Sequence, residues 1–167
     1  MKRLILILAL CVGITSMAQQ TDPKAAWLEK WSNSKDYLIE MVEQMPEEDF
    51  GFKPTERQRT FAEQLAHMAG NINWLGTTHF NAASIEFLKE GSKAEMISAL
   101  KQTFDAAYQA VEAAPESELA EVVEFFAGPK SKWQIMNLLQ DHLTHHRGQI
   151  IVYLNLRGIE PPRYIGW

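Results

Sequence analysis

Residues 141–149 read DHLTHHRGQ and hold three of the chain's five histidines. On a helix, residues four apart differ by about 40° and stack on one face, whereas adjacent residues diverge by about 100°. His142 and His146 therefore point together, and His145 sits about 60° off that line. Gln149, two turns from His142, falls back on it. Ile135, Leu138, Leu139, Ile150 and Tyr153 surround the same direction, so the histidine pair faces the protein interior. A buried imidazole brings two ring nitrogens that need partners. Two arrangements meet that need: a hydrogen-bonded polar pair, or a metal site.

A third ring nitrogen from elsewhere would favour the metal. His67 is the candidate, in the segment TFAEQLAHMAGNINW, beside Met68 at the border of an apolar face and in line with Gln64, Asn71 and Trp74. Three neutral imidazoles converging from two helices suit a borderline divalent ion such as Zn²⁺, Ni²⁺ or Fe²⁺. The fourth position would then be open to water or a small-molecule substrate, as in a catalytic site. Spacing alone leaves His142 with His145 as an alternative pair. His79 lies about 120° around the helix from His67 and should miss the site. Asn71, Asp141 and Gln149 are near in register, but none is marked out as a general base, and Asp141 points about 100° away from His142.

These side chains need long helices to hold them, and the punctuation of the chain divides it into four. The first spans about Pro23 to Gln44, with Asp22 as cap, proline at the first position, and Trp27, Trp31, Leu38, Met41 and Val42 on its stripe. The second opens at a Thr60/Glu63 capping box and runs to about Phe80, carrying Phe61, Leu65, Met68, Ile72 and Leu75 on one face. The third opens at Ser92/Glu95, buries Met96, Leu100, Phe104, Ala107 and Val111, and stops before Pro115. The fourth opens at Ser131/Gln134 and continues through Leu156, with Gly158 as its stop. Residues 116–130 are expected to be irregular, with a strand-like piece at Val122–Phe126. Four amphipathic helices make an all-α, four-helix bundle, and the long 116–130 connection allows one crossover.

Three expectations surround the histidine helix. Arg147 should lie on its flank in an ion pair. Gly148 costs about 1 kcal/mol in a helix interior relative to Ala, which predicts close packing beside the site. The C-terminal EPPRYIGW, with Tyr164 and Trp167, is long enough to fold back over the core.

The first residues, MKRLILILALCVGITSMAQQ, combine Lys2 and Arg3, an apolar run from Leu4 to Ile14 and a small-residue Ser16-Met17-Ala18 end. This is the pattern of a secretory signal peptide cleaved after Ala18, leaving residues 19–167 as a single domain exported to the periplasm or beyond. The run is too short for a stable membrane anchor, since spanning takes about 20 apolar residues. Cleavage would remove Cys11, the only cysteine, and with it disulfide, thiolate and CxxC chemistry. It would also shift the formal net charge from −5 to −7. An acidic chain with no basic cluster argues against nucleic acid. Arg57 and Arg59, two charges in a connecting loop, read as solvated.

TFAEQLAHMAGNINW on the second helix and LLQDHLTHHRGQIIVYLNLRGIEPPRY on the fourth resemble the DinB family of bundle proteins, also described as DinB/YfiT-like metal-dependent hydrolases. The resemblance covers nearly the whole mature chain, including PEEDFGFKPTERQRTF. It implies an up-down-down-up bundle with a divalent metal on three histidines, which correspond here to His67, His142 and His146. His145 then falls outside the ligand set. Members of that family include thiol-dependent S-transferases and an isomerase, and homodimers are common among them. The expected function is metal-dependent hydrolysis, with an S-transferase-like reaction or a non-catalytic ligand-binding bundle as alternatives.

Overall fold

The computed structural model describes residues 22–87 and 90–167, so the expected signal peptide and Cys11 lie outside the described residues. The element order is α1 (Pro23–Gln44), a 3-10 turn (Glu47–Asp49), α2 (Phe61–Phe80), α3 (Lys93–Ala113), α4 (Glu116–Leu119), β1 (Val122–Val123), β2 (Lys130–Ser131) and α5 (Lys132–Leu156). The four long helices begin where their caps place them. The Asp22 carboxylate accepts from the Lys24 N–H at 2.8 Å, and Pro23 needs no partner at the first helical position. Thr60/Glu63, Ser92/Glu95 and Ser131/Gln134 each form a reciprocal capping box, which satisfies helix-terminal N–H groups that no helical carbonyl can reach.

The stripes anticipated on α1, α2 and α3 are buried in one core. Two indoles stitch it together: Trp27 donates to the Met136 carbonyl at 3.0 Å and Trp31 to the Phe104 carbonyl at 3.1 Å. Their rings stack with centroids 4.8 Å apart. α3 and α5 each pack against both α1 and α2, which places the histidine-bearing α5 directly beside α2.

Residues 116–130 carry more order than the sequence reading allowed. α4 is a single helical turn, and Val122–Val123 pairs antiparallel with Lys130–Ser131. The strand is therefore shorter than expected, and Phe125 and Phe126 fall in the turn that joins β1 to β2. Lys132 anchors this region, its ammonium 2.7 Å from Glu118 and 3.4 Å from Glu121.

Two expectations about α5 are corrected. Arg147 is not on the flank in an ion pair: it is 3% exposed, and its guanidinium lies over the Tyr37 ring at 5.0 Å. Its Nη1 has no hydrogen-bond partner among the described residues. Position 147 faces α1 because α5 is covered on two sides, by α1 and by α2. Gly148 has no tight neighbour, since a Cβ built there meets nothing within 4 Å. The close approach occurs instead at Gly76, whose Cβ would meet Ala82 at 3.2 Å and Ala107 at 3.9 Å. The C-terminal segment folds back as anticipated, with Tyr164 edge-on to Tyr37 and the Asn33 amide donating to the Trp167 carbonyl. Both terminal aromatic rings nevertheless remain largely exposed. Among the described residues, no helix is long and apolar enough to cross a membrane.

Candidate metal centre

α2 and α5 run in opposite directions through the site. Arg59, just before α2, meets Tyr153 near the end of α5, while His67 meets His142 and His146 further back along it. The Tyr153 hydroxyl donates to the Arg59 carbonyl at 2.6 Å, and the N–H groups of Phe61 and Ala62 donate to the carbonyls of Phe52 and Phe50. These contacts tie the connection between α1 and α2 to the end of the bundle that holds the histidines.

His67 Nε2 lies 3.1 Å from His142 Nε2 and 3.1 Å from His146 Nε2. The three residues offer one nitrogen each within a common 4.8 Å. Nitrogens bound at about 2.0–2.1 Å around a tetrahedral ion are separated by about 3.3 Å. The two separations from His67 are close to that value, and the three-histidine group could hold a metal ion. No fourth His, Cys, Asp or Glu joins it among the described residues.

The outer nitrogens favour the same conclusion. His146 Nδ1 is 2.7 Å from Gln149 Oε1 and 2.6 Å from Gln64 Nε2, and the Gln64 amide also donates to Gln149 Oε1. The Gln149 oxygen can only accept, which calls for a proton on Nδ1 and an inward Nε2 lone pair, and in that tautomer the Gln64 amide donates to Gln149 and not to the ring. His67 Nε2 carries either one proton or one lone pair, so it cannot make well-directed hydrogen bonds to both neighbours. A cation among the three nitrogens satisfies them all.

The electrostatics hold these rings neutral. Burial, followed by the neighbouring His146, His67 and His145 rings and the Arg59 guanidinium, pushes His142 down to about 4. Burial and then Arg59 lower His67. Burial lowers His146 as well, partly opposed by its hydrogen bond to Gln149. Neutral imidazole is the metal-binding form.

His145 is exposed and outside the group; its ring stands edge-on to His146, with Nε2 3.3 Å from Gln149 Nε2. Asn71 lines a groove with His67, and its buried Oδ1 has no hydrogen-bond partner among the described residues. Asp141 is exposed and lines a different hollow, beneath Phe125 and Phe126. His79 is buried against Phe125 and is not in the group. The sequence reading placed Gln64 and Trp74 on the His67 line without giving either a role. It read Arg59 as solvated, which the exposed side chain bears out, but did not place it at the groove that it lines with His67, just before the Thr60 cap.

Fold and site together define a mostly helical protein with a three-histidine group capable of holding a metal. Residues 17–165 match the model of the DinB family, and the chain belongs to that family. Its fold is similar to that of a DinB-like protein from Bacillus subtilis (TM-score 0.71, 16% identity, covering 85% of this chain and 99% of that one). A DinB-like protein from Bacillus cereus is equally similar (TM-score 0.72, 16% identity, 84% and 97% coverage). A conserved protein from Enterococcus faecalis follows (TM-score 0.66, 13% identity, 81% and 97% coverage). No curated protein matches the sequence.

Proposed function

We propose that this chain is an exported metal-dependent hydrolase in which His67, His142 and His146 hold one divalent ion and leave a position open for water or substrate. The observation that carries this reading is the convergence of the three Nε2 atoms, with His67 3.1 Å from each of the other two. The ion would supply Lewis acidity, activating water or a substrate oxygen. The chain's own residues prepare the site: Gln149 orients the His146 ring, Tyr153 fixes the Arg59 backbone, and Asn71 lines the groove beside His67. An up-down-down-up bundle is the arrangement we assign. Lys24 reaches the carbonyls of Glu112 and Ala114 while Lys93 reaches those of Glu43 and Met45, which supports α1 and α3 running in opposite directions.

The groove that His67 shares with Asn71 supports an open site over a closed, purely structural one. Arg57 and Arg59, which line a hollow with the His146 partners Gln64 and Gln149, favour a second reading, S-transferase-like chemistry on an anionic thiol, over the ligand-storage alternative. Elemental analysis of purified mature protein should find about one divalent metal per chain. His67→Ala, His142→Ala and His146→Ala should each lose it, and His145→Ala should keep it. Loss in His145→Ala alone would overturn the ligand set. Hydrolysis of ester, amide or phosphoester probes that survives complete metal removal would overturn the hydrolase reading.

A further inference from the structure

We infer that the groove beside the histidines recognises a small molecule joining a carboxylate or phosphate to a flat apolar body, with Arg59 at one end and Trp74 at the other. The inference rests on the metal reading only for where the reacting group sits. The groove is about 580 Å³, within the range of small-molecule pockets. It is lined by Arg59, Glu63, Ala66, His67, Gly70, Asn71 and Trp74, the His67 ring standing between its two ends.

The anionic end follows from charge. Arg59 lines this groove together with His67, and it also lines the adjoining hollow with Gln64 and Gln149, the two residues that contact His146. A cation beside a divalent-ion site is repelled by that ion unless an anion lies between them. With such an anion, the ion and the guanidinium become a two-point clamp, and guanidinium suits carboxylate and phosphate oxygens. Tyr153 positions the Arg59 backbone at the groove by donating to its carbonyl, and the Arg59 side chain is exposed there. Glu63 shares the groove, but its carboxylate accepts from the Thr60 N–H in the capping box.

The apolar end follows from shape. Trp74 is seven residues beyond His67, about 10 Å along α2, and its side chain leans back towards the start of the helix. It is 44% exposed, and Phe125 supports it with near-parallel rings 6.0 Å apart. Between Trp74 and His67 lies Gly70, where a Cβ would meet nothing within 4 Å. No packing contact calls for glycine there, and its missing side chain leaves the groove floor open for a flat group against the indole.

The test uses metal-loaded mature protein and three probes: biphenyl-4-carboxylate, 4-biphenylyl phosphate and neutral 4-biphenylmethanol, with affinities measured by isothermal titration calorimetry. At least one anionic probe should bind about tenfold or more tighter than the alcohol, as a charge-assisted contact requires, and the stronger of the two identifies the headgroup. Arg59→Gln should abolish that preference without changing metal content. Gly70→Leu, which fills open space on an exposed helix face, should weaken all three probes about tenfold while metal content and circular dichroism stay unchanged. Equal binding of acid and alcohol by the parent protein, a preference that survives Arg59→Gln, or undiminished binding by Gly70→Leu would overturn the inference. Repeating the titrations after chelation separates the two readings: a metal-free parent that keeps an Arg59-dependent preference supports the groove even where elemental analysis has overturned the metal site.

Discussion

Gln149→Leu isolates the contact that orients His146, one of the three histidines that could hold a metal ion, without removing any of the three. Leucine keeps much of the side-chain volume but withdraws the carbonyl oxygen that serves both His146 Nδ1, at 2.7 Å, and the Gln64 amide. His146 is 7% exposed, so water compensates poorly for the lost acceptor. A buried donor left without a partner costs about 1–3 kcal/mol, and each 1.4 kcal/mol is about a factor of ten in an equilibrium constant. If the metal-bound state requires this ring orientation, affinity should fall about 10–100-fold, the usual range for loss of an outer-shell partner. Competition titration of Zn²⁺ against a fluorescent chelator measures the change directly. Gln149→Glu should bind as tightly as the parent or more so, because a carboxylate accepts the same Nδ1 proton and makes the ring a better donor to the metal. Parental affinity in Gln149→Leu would refute the orienting role. So would a loss as complete as that of His146→Ala, because the residue would then be acting on the fold or as a ligand itself.

Further expectations follow from buried groups away from the three nitrogens. Burial, followed by the charge of Lys132, lowers the pKa of His79. Its unfolded state therefore takes up a proton at higher pH than the folded state does, so its contribution is fully present above about pH 6.5 and is lost as pH falls below that value. His79→Gln should flatten the decline in urea-unfolding free energy over that acid range, and an unchanged pH profile would refute this account. Arg147 is a buried cation with an unpartnered Nη1. Arg147→Met, which keeps an unbranched apolar stem and removes the charge, should leave the urea midpoint unchanged or raise it, since replacing buried ionic groups by apolar ones is often neutral or stabilising. A fall of several kcal/mol would show that the Tyr37 contact outweighs the desolvation cost.

Much of this molecule is legible in the sequence because the relevant forces act over three or four residues. Capping boxes at Thr60, Ser92 and Ser131 mark helix starts through contacts between residue i and i+3. The stripes of Phe61, Leu65 and Met68, and of Met96, Leu100 and Phe104, mark the buried faces through the helical repeat. The same repeat separates His146, in register with His142, from its neighbour His145. Even His67 could be nominated, as a histidine at the border of an apolar face on another helix.

Tertiary structure decided what depends on which helices become neighbours. Arg147 is buried under Tyr37 because α1 covers that side of α5, whereas the periodicity of α5 alone assigns the position to a flank. Arg59 lies beside the histidines because Tyr153, ninety-four residues away, holds its carbonyl. The Gln64 amide meets His146 and Gln149 only because α2 and α5 run in opposite directions at the right register. Phe125 supports Trp74 through a two-residue strand pairing too short to leave an alternating pattern. Local periodicity specifies the face a residue occupies. What lies opposite that face, and therefore whether three imidazoles become a metal site with a cation and an aromatic ring beside it, is settled by the packing of the helices.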